Sequence, residues 1–478
     1  MIASARETQP PLCVDLDGTL IHSDLLLESL MRLVARNPLY IFIVPWWLLR
    51  GRAALKAEIA SRVELDPGAL PYDTGLLEWL KSERTTGRSL WLCTAANEHL
   101  ANRVAGHLGL FEGVLASDAS VNLAGHAKAQ RLVELFGERG FDYCGNETRD
   151  LAIWSRARGA IIVRGDSELE RAAAQRAPVM QSFPTTHSKT WALLRALRPH
   201  QWAKNVLVLV PLAAAHGLGS GSAVLNAVVA LAAFCLCASS VYLLNDLLDL
   251  QSDRTHTRKR LRPFASGEAP LLAGLLLAPA LLVAAAALSL LLPFRFSMVL
   301  LAYYGLTLAY SFRLKTLPIV DALVLAGLYT LRVIGGAAAV ANALSFWLLL
   351  FSVFLFLSLA FVKRYAEMEA LRRQQRLRAT GRGYHVEDLT LLQSLGTAAG
   401  YLSVLVLALY INSPEITALY RHPKAIWLLC VLMLYWVSRV WMVAQRGDMH
   451  DDPVVFALKD RVSIGIGVLV VVTVALAI

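Results

Sequence analysis

The chain has 478 residues, of which 56% are hydrophobic and 17% are charged, and its mean hydropathy is +0.50. Soluble domains usually carry about 25% charged residues, so the composition excludes a wholly soluble protein, and its apolar content excludes a mainly disordered one. The formal charge of +10 favours basic loops on the cytoplasmic side of a membrane protein over a nucleic-acid-binding surface.

The first 176 residues have the pattern of a soluble α/β domain, in which short apolar runs alternate with helical stretches. The runs lie at 12–16, 89–93, 114–116, 141–144 and 160–163. Each is bounded by Gly, Asp, Asn or Thr, which is typical of buried strands in a parallel sheet. We predict a Rossmann-like domain over 1–176, and a linker over 177–191 because prolines and Ser, Thr and Gln residues gather there.

Inside this domain lies an aromatic, apolar segment at 38–52, which reads PLYIFIVPWWLLRGR. It is too short to span a bilayer comfortably and is interrupted by a proline. A buried hairpin would account for it, but Trp46, Trp47, Arg50 and Arg52 favour a segment that lies in the membrane interface.

The loop after the first predicted strand carries two carboxylates, Asp15 and Asp17. At the end of a parallel strand, both can point into the crevice where such sheets bind ligands. One carboxylate could attack phosphorus while the other transfers protons, with Mg²⁺ neutralising the phosphate. The pair alone is a weak signal, but Thr94, Lys128 and the loop 145–150 also follow strands or begin helices nearby and strengthen it.

These positions resemble the haloacid dehalogenase superfamily of phosphatases, over about residues 10–175. The resemblance implies that Asp15 is the nucleophile and Asp17 the general acid and base. It also implies that Thr94 and Lys128 hold the phosphoryl group.

The same resemblance implies a Mg²⁺ site and a cap. Asn146 and Asp150 would hold the ion together with the two carboxylates of the first loop, and residues 20–87 would form a helical cap. The family often has Asp where this chain has Asn146, which implies weaker Mg²⁺ binding or a different substrate. The alternative is a degenerate domain that serves only for docking.

From about residue 204 the chain consists of long apolar runs, and we predict an all-α membrane domain of about nine spans over 192–478. The spans lie at 204–218, 223–245, 270–293, 296–312, 317–339, 344–362, 393–412, 424–443 and 462–478. The loops at 251–268 and 364–388 are rich in arginine, whereas the loops on the opposite side carry few charges. The positive-inside rule then predicts a multi-pass protein of the cell (inner, cytoplasmic) membrane with a cytoplasmic N-terminal domain.

The second predicted span ends in an acidic motif, NDLLDLQSD, at 245–253. Asp246, Asp249 and Asp253 are spaced i, i+3 and i+7, so they share one face of a helix. Such carboxylates repel one another unless cations bind, and Mg²⁺ suits a few carboxylates together with diphosphate oxygens. The loop that follows supplies cations for phosphate oxygens. They are Arg254, His256, Lys259 and Arg262. The alternative is a solvated, charged helix end.

The pattern NDxxDxxxD followed by RxHxxKxxRP resembles the UbiA-type membrane prenyltransferase superfamily, over about residues 192–478. The resemblance implies a helical bundle around a cavity, with a Mg²⁺-bound diphosphate at the three aspartates and Asn245 beside the substrate. Most members also have a second cluster of the type DxxxD. Here Leu325 stands four residues after Asp321, which argues against ordinary prenyl-diphosphate chemistry.

Three further segments resemble the decaprenyl-phosphate phosphoribosyltransferases within that superfamily: RPHQWAKN at 198–205, YSFRLK at 310–315 and KRYAE at 363–367. The resemblance implies transfer of 5-phosphoribose from phosphoribosyl diphosphate to a polyprenyl phosphate. Two phosphorylated substrates need more basic side chains than one, and a charged residue inside an apolar span is expected to be functional. The remaining predicted substrate-binding residues are Lys204, Tyr310, Lys315, Asp321, Arg332 and Lys363.

We therefore predict a bifunctional membrane enzyme whose N-terminal domain removes a phosphate, with the 5-phosphate of the transfer product as the candidate. One alternative moves a prenyl group from its diphosphate to an aromatic or other lipid-soluble acceptor. Another is a lipid-binding scaffold with an inactive phosphatase-like domain. The segment MHDDP at 449–453 either caps the last helix or contacts metal or substrate, and the sequence identifies no protein partner.

Overall fold

The computed structural model describes residues 9–118, 121–185, 188–215, 217–342, 345–376, 382–413, 422–449 and 452–477. The chain forms two compact units, each held together by its own contacts. Unit 1 comprises Met1–Leu197 and Tyr242–Leu277, and unit 2 comprises Arg198–Val241 and Ala278–Ile478. The acidic motif and its basic loop therefore belong to the same unit as the N-terminal sheet.

Unit 1 contains a six-stranded, wholly parallel sheet in the order β3-β2-β1-β4-β5-β6. The strands are β1 Leu12–Val14, β2 Leu90–Asn97, β3 Gly113–Ser117, β4 Asp142–Gly145, β5 Gly159–Val163 and β6 Val179–Phe183. The α/β prediction is confirmed, and each of the five predicted strands is present. Apolar side chains pack on both faces, with Leu12 and Val14 in one core and Cys13 in another. Burial on both faces explains the uninterrupted apolar runs.

The sixth strand lies in the segment 177–191, which the sequence predicts to be a linker, and that prediction is wrong for 179–183. β6 pairs with β5 through Ile161 and Gln181, Ile162 and Ser182, and Val163 and Phe183. Its first three residues are exposed, because it is the edge strand of the sheet. An exposed edge strand needs no long apolar run, so its sequence resembles a polar linker.

The sheet of unit 1 is surrounded by short helices, and the predicted cap segment is helical. The helices are α1 Leu25–Arg36, α2 Tyr40–Leu49, α3 Arg52–Ala60, α4 Thr74–Thr85, α5 Glu98–Leu108, α6 His126–Phe136, α7 Leu151–Trp154, α8 Ser167–Ala174 and α9 Lys189–Ala196. Several begin at an acidic N-cap; the Asp24 side chain, for example, accepts a hydrogen bond from the Leu27 amide.

The remaining chain is helical. After a 3-10 segment at Pro199–Leu209 come α10 Val210–Ala214, α11 Gly221–Leu248, α12 Leu250–Thr255, α13 Leu271–Ser289, α14 Phe294–Phe312, α15 Val320–Ala339, α16 Phe346–Arg373, α17 Leu389–Ile411, α18 Leu428–Arg446, α19 Pro453–Lys459 and α20 Arg461–Ala477. Within unit 2, α14 to α18 pack in sequence as a helical bundle. Its core includes the stacked rings of Tyr329 and Phe356.

Among the described residues, six helices are long and apolar enough to cross a membrane: α11, α13, α15, α16, α17 and α18. The pair α19 and α20 would make a seventh, but it is bent by 77°. The prediction of nine spans is therefore not confirmed. The helix α14, Phe294–Phe312, is long enough to cross a membrane, but Arg295 and several tyrosines lower its hydropathy, and it is not among the six.

The first predicted span, 204–218, is wrong because its residues form a short 3-10 and α-helical segment. This segment packs directly on α15. A Cβ atom at Gly336 would lie 2.0 Å from the Val208 carbonyl oxygen, so only glycine permits this approach. The apolar side chains of the segment thus pack within unit 2.

Candidate active sites

The carboxyl end of β1 positions the first candidate site. The Asp15 amide donates to the Cys144 carbonyl (3.0 Å), so the loops after β1 and β4 run side by side. Lys128, at the start of α6, donates to Asp15 Oδ1 (2.8 Å) and to the Tyr143 hydroxyl (3.0 Å). The Tyr143 hydroxyl in turn donates to Asp150 Oδ1 (3.2 Å). The sheet thus brings Asp15, Lys128 and Asp150 together, as the sequence predicts.

The second carboxylate, Asp17, is fixed by the chain that follows it. Its Oδ1 accepts a hydrogen bond from the Leu25 amide (2.9 Å). Gly18 lies at φ +74°, and a Cβ atom there would be 2.3 Å from Asn146 Nδ2, so glycine is required at this close approach. The Thr19 hydroxyl donates to Asn146 Oδ1 (3.0 Å). Asn146 is therefore brought to the site, where it also orients the loop after β1.

Burial and neighbouring charge perturb the acids of this site. Burial raises the pKa of Asp17, and the charges of Asp24 and Asp15 raise it further. Burial also raises the pKa of Asp150 to about 6, with Asp15 adding to the rise and Lys128 opposing it. A raised pKa suits Asp17 to the role of proton donor. Burial lowers the pKa of Lys128, but Asp15 and Asp150 outweigh it, so its pKa is raised and it remains charged.

A cavity of about 280 Å³ opens at this site and is lined by Asp15, Asp17, Lys128 and Asp150. Thr94 is buried and not part of the lining, and its hydroxyl accepts a hydrogen bond from the Ala96 amide (3.0 Å). The contact of Thr94 with a phosphoryl group therefore stays a prediction.

The sequence did not predict Lys56, which lines the same cavity from α3. Its ammonium donates to the Ala95 carbonyl (2.5 Å) and to Asn122 Oδ1 (2.8 Å). It brings a second cation beside Lys128. In the sequence, Lys56 is a single lysine among small and apolar residues of α3. Such lysines are common on solvated helices, so the sequence alone does not mark it as a site residue.

The acidic motif lies where α11 gives way to α12. The Arg262 guanidinium bridges two of its carboxylates, donating through Nη1 to Asp246 Oδ1 (3.1 Å) and to Asp253 Oδ2 (2.5 Å). Asp249, at the N-cap of α12, lies close enough for its charge to raise the pKa of Asp253. Burial is the main cause of that rise, and Arg262 and Lys259 oppose it. The structure thus brings the three aspartates and Arg262 together.

The donors of the acidic motif fit Mg²⁺. At the acidic motif, Asp253 Oδ1 is buried without a hydrogen-bond partner, and a guanidinium already lies between two carboxylates, where positive charge is needed. Among the residues that the structure describes, no group of three Asp, Glu, His or Cys side chains could hold a metal ion by itself. Mg²⁺ usually takes one or two carboxylates and completes its shell with water and phosphate oxygens, so the donors fit an ion that arrives with its substrate.

The predicted cations of the basic loop differ in their exposure and in their partners. His256 and Lys259 are exposed, as substrate-binding residues of an open site would be, and Asn245 is half-buried at the start of the acidic motif. Arg254 instead makes a bidentate, buried pair with Glu28 (2.7 and 2.8 Å), and its Nε donates to the Ala265 carbonyl (2.9 Å). The guanidinium of Arg254 therefore binds Glu28 of α1 in the structure, and its contact with phosphate stays a prediction.

Unit 2 contains a buried cluster around Asp452. Lys204 and Lys363 both approach its Oδ2 (2.9 and 2.7 Å), and the Tyr329 hydroxyl donates to its Oδ1 (3.0 Å). Among the side chains that the structure describes in this cluster, two lysines thus share one carboxylate, which leaves an excess of positive charge. Of the predicted segment 449–453, His450 and Asp451 lie outside the described residues, whereas Asp452 both caps α19 and binds the lysines.

Asp321 and Arg364 form a second cluster in unit 2. Both side chains are fully buried and meet at 2.5 Å, and the Tyr384 hydroxyl donates to Asp321 (2.6 Å). Arg364 also donates to the Tyr310 hydroxyl (2.8 Å). The carboxylate of Asp321 is thus enclosed by protein and Tyr310 orients Arg364, and the substrate contact of Asp321 stays a prediction. Lys315, in the turn after α14, is half-buried.

Arg332, predicted to bind substrate, is buried in the bundle. Its guanidinium donates to Asn205 Oδ1 (2.8 Å), the Tyr303 hydroxyl (2.8 Å) and the Leu328 carbonyl (2.6 Å). These bonds connect the 3-10 segment with α14 and α15. The structure therefore gives Arg332 a role in packing, and its contact with substrate stays a prediction.

The model of the UbiA prenyltransferase family matches residues 206–460. The chain belongs to this family. It is 37% identical over 465 residues to the uncharacterized protein y4nM of Sinorhizobium fredii, which covers 96% of this chain and 89% of that protein. It is also 33% identical to the decaprenyl-phosphate phosphoribosyltransferase of Mycolicibacterium smegmatis, over 56% of this chain and 87% of that enzyme.

Solved structures with similar folds exist for both parts of this UbiA family member. A UbiA homologue from Archaeoglobus fulgidus bound to DMAPP and Mg²⁺ is 18% identical, with a TM-score of 0.46, and covers 60% of this chain and 97% of that one. A phosphoserine phosphatase in its apo form is 14% identical, with a TM-score of 0.27, and covers 37% of this chain and 94% of that one.

Proposed function

We propose that this UbiA family member transfers 5-phosphoribose from phosphoribosyl diphosphate to a polyprenyl phosphate, and that its N-terminal domain then removes the 5-phosphate. The observation that carries the first step is the buried cluster in which Lys204 and Lys363 share Asp452. Its excess positive charge suits an anionic acceptor, whereas a neutral aromatic acceptor would leave it uncompensated. The relationship to decaprenyl-phosphate phosphoribosyltransferases supports the same choice.

In the transfer step, an oxygen of the lipid phosphate attacks the anomeric carbon of the donor. The carbon–oxygen bond to diphosphate breaks, and diphosphate leaves with the bonding electron pair. The acceptor is already anionic, so positioning and charge neutralisation provide most of the catalysis. Asp246, Asp249 and Asp253 would hold Mg²⁺, which would neutralise the diphosphate. Arg262 would pair with its oxygens, and Lys259 and His256 are exposed beside it.

In the phosphatase step, Asp15 attacks the phosphorus of the 5-phosphate and the bond to the ribose oxygen breaks. Asp17 donates a proton to that oxygen and then takes one from the water that hydrolyses the aspartyl phosphate. Lys128 stays charged beside Asp15 and would bind the phosphoryl oxygens, and Lys56 adds a second cation. Asn146 and Asp150 would complete the Mg²⁺ site with the carboxylates.

A groove within unit 1 supports the proposal that the two sites act in sequence. It has a volume of about 1040 Å³ and is lined by Asp249 of the acidic motif, by Arg32 and Arg36 of α1, and by Ala60 and Asn97. Ala60 and Asn97 also line the cavity that contains Asp15. The groove therefore adjoins the phosphatase cavity, and a phosphorylated headgroup released near Asp249 would have only a short way to go to reach it.

The proposed enzyme is a multi-pass protein of the cell membrane with a cytoplasmic N-terminal domain, where both substrates' phosphates would be accessible. The test is incubation of the purified full-length protein with Mg²⁺, ribose-labelled phosphoribosyl diphosphate and a short polyprenyl phosphate. We expect label in the lipid phase and release of inorganic phosphate. The Asp15→Asn variant should transfer equally well but accumulate the 5-phosphorylated lipid.

Other outcomes would overturn parts of the proposal. Turnover of a prenyl diphosphate with an aromatic acceptor, and none with phosphoribosyl diphosphate, would establish the prenyltransferase alternative. The same phosphorylated lipid from the wild type and from Asp15→Asn would show that the N-terminal domain acts on another substrate. No turnover in any of these reactions would favour a scaffold.

A further inference from the structure

The surface helix α2 exposes apolar side chains on nearly all sides. Its sequence, YIFIVPWWLL, has no charged residue. Phe42, Trp46 and Leu49 are 77%, 67% and 82% exposed, and Leu39, Ile41, Ile43 and Leu48 are also exposed. Soluble surfaces rarely present so continuous an apolar patch, so a partner for it is expected.

The helix is nevertheless firmly attached to unit 1. Trp47 is buried in the core beside Tyr40, at 5.8 Å between ring centroids, and the Arg62 guanidinium lies 4.8 Å from the Trp47 ring. A single buried anchor therefore fixes the helix and leaves its other faces exposed. This arrangement makes α2 a projecting element and not part of the core.

Two features of unit 1 indicate that a bilayer covers the helix. The unit includes Tyr242–Leu277, which contains the last turn of the membrane span α11 and the first turns of α13, so unit 1 itself reaches the membrane surface. The exposed cations Arg36 and Arg50 flank α2. Aromatic and apolar side chains bordered by arginines suit the interface of an anionic membrane.

The helix is also continuous with the phosphatase cavity. Leu48 of α2 lines that cavity together with Leu26 and Leu55, whereas Asp15 and Lys128 line its polar end. The cavity thus has an apolar side that begins on the exposed helix and a charged side at the nucleophile. A phosphate ester with an apolar tail would match both sides.

We infer that α2 inserts into the membrane interface and guides the tail of a lipid-linked phosphate monoester into the cavity of Asp15. The substrate preference rests on the proposed phosphatase function, but the insertion does not. The proposal assigns to α2 a specificity that a soluble phosphatase would lack: hydrolysis of phosphate esters that remain in the bilayer.

The insertion can be measured in the full-length protein in nanodiscs that contain anionic and brominated lipids. The cysteines of the chain are all buried, so Phe42→Cys introduces an exposed thiol for a fluorescent label. Leu135→Cys is a matched control, because Leu135 is a single exposed apolar residue on α6, 44% exposed. We expect brominated lipid to quench the label at position 42 at least threefold more than the label at position 135.

Equal quenching at the two positions would overturn the insertion. Protection of position 42 from aqueous quenchers without quenching by brominated lipid would also overturn it, because a second copy of the chain would then cover the helix. Neither result depends on enzymatic activity, so failure of the proposed phosphatase function would leave this measurement decisive.

The substrate preference is tested with two probes, a short polyprenyl phosphate ester of ribose 5-phosphate in liposomes and water-soluble p-nitrophenyl phosphate. The double variant Phe42→Ser with Trp46→Ser should lose at least tenfold in kcat/KM on the lipid-linked probe and change less than twofold on the soluble one. Leu135→Ser should change neither. Equal losses on both probes, or no loss on the lipid-linked probe, would contradict the guidance of the tail by α2.

Discussion

The buried pair of Glu28 and Arg254 predicts a stability effect that is separate from substrate binding. Both side chains are at most 5% exposed, and their two hydrogen bonds measure 2.7 and 2.8 Å. Removal of one partner leaves an uncompensated buried charge, which costs about 3–5 kcal/mol. We therefore expect Arg254→Met to lower the melting temperature of unit 1 by roughly 6–20 °C, at about 2–4 °C per kcal/mol for a unit of this size.

The double variant Glu28→Leu with Arg254→Met distinguishes the structural role from a catalytic one. Replacement of a buried ion pair by apolar residues is often neutral or stabilising, so the double variant should recover most of the lost stability and transfer activity. Thermal unfolding in detergent and the labelled-ribose transfer assay would measure the two quantities. Arg195→Met is a matched control, because its pair with Glu268 is 43% and 20% exposed and should contribute less than about 1 kcal/mol.

Recovery of stability without recovery of transfer in the double variant would refute this reasoning, because it would show that the Arg254 guanidinium contacts the substrate. A loss of less than about 1 kcal/mol in either single variant would refute it as well, since exposed pairs behave in that way.

Three further variants test the sites and the core. Asp246→Asn should abolish transfer but leave the melting temperature within about 2 °C, and a wild-type transfer rate would remove the acidic motif from the mechanism. Asp452→Asn should lower kcat/KM for the lipid phosphate at least tenfold and leave the KM for the donor within twofold. An equally large change in the donor KM would contradict the role of Asp452 in positioning the two lysines. Asp142→Asn should destabilise unit 1 by about 3 kcal/mol in thermal unfolding, because the fully buried Asp142 carboxylate pairs with both Arg88 and Arg158, and the buried Arg88 would retain only Glu83 as a carboxylate partner. A loss below about 1 kcal/mol would show that these arginines find other partners.

The sequence by itself determined the features that depend on neighbours along the chain. Buried strands are marked by uninterrupted apolar runs, so five of the six were predicted, and the loop after β1 could be recognised from Asp15 and Asp17. The spacing of Asp246 and Asp253 was sufficient to place them on one helical face, and in the structure Arg262 bridges them. Local periodicity and motif spacing carry this information because they are properties of a single helix or strand.

Only the tertiary structure decided which charged residues pair with one another. Arg254 and Arg262 lie in the same loop and are indistinguishable as cations, yet one binds Glu28, more than two hundred residues away, and the other binds the acidic motif. Asp321 and Asp452 are both acids near spans, yet Arg364 pairs with the first whereas two lysines share the second. Long-range packing determines these partners, and burial then determines whether a charge supports the fold or remains accessible to a substrate.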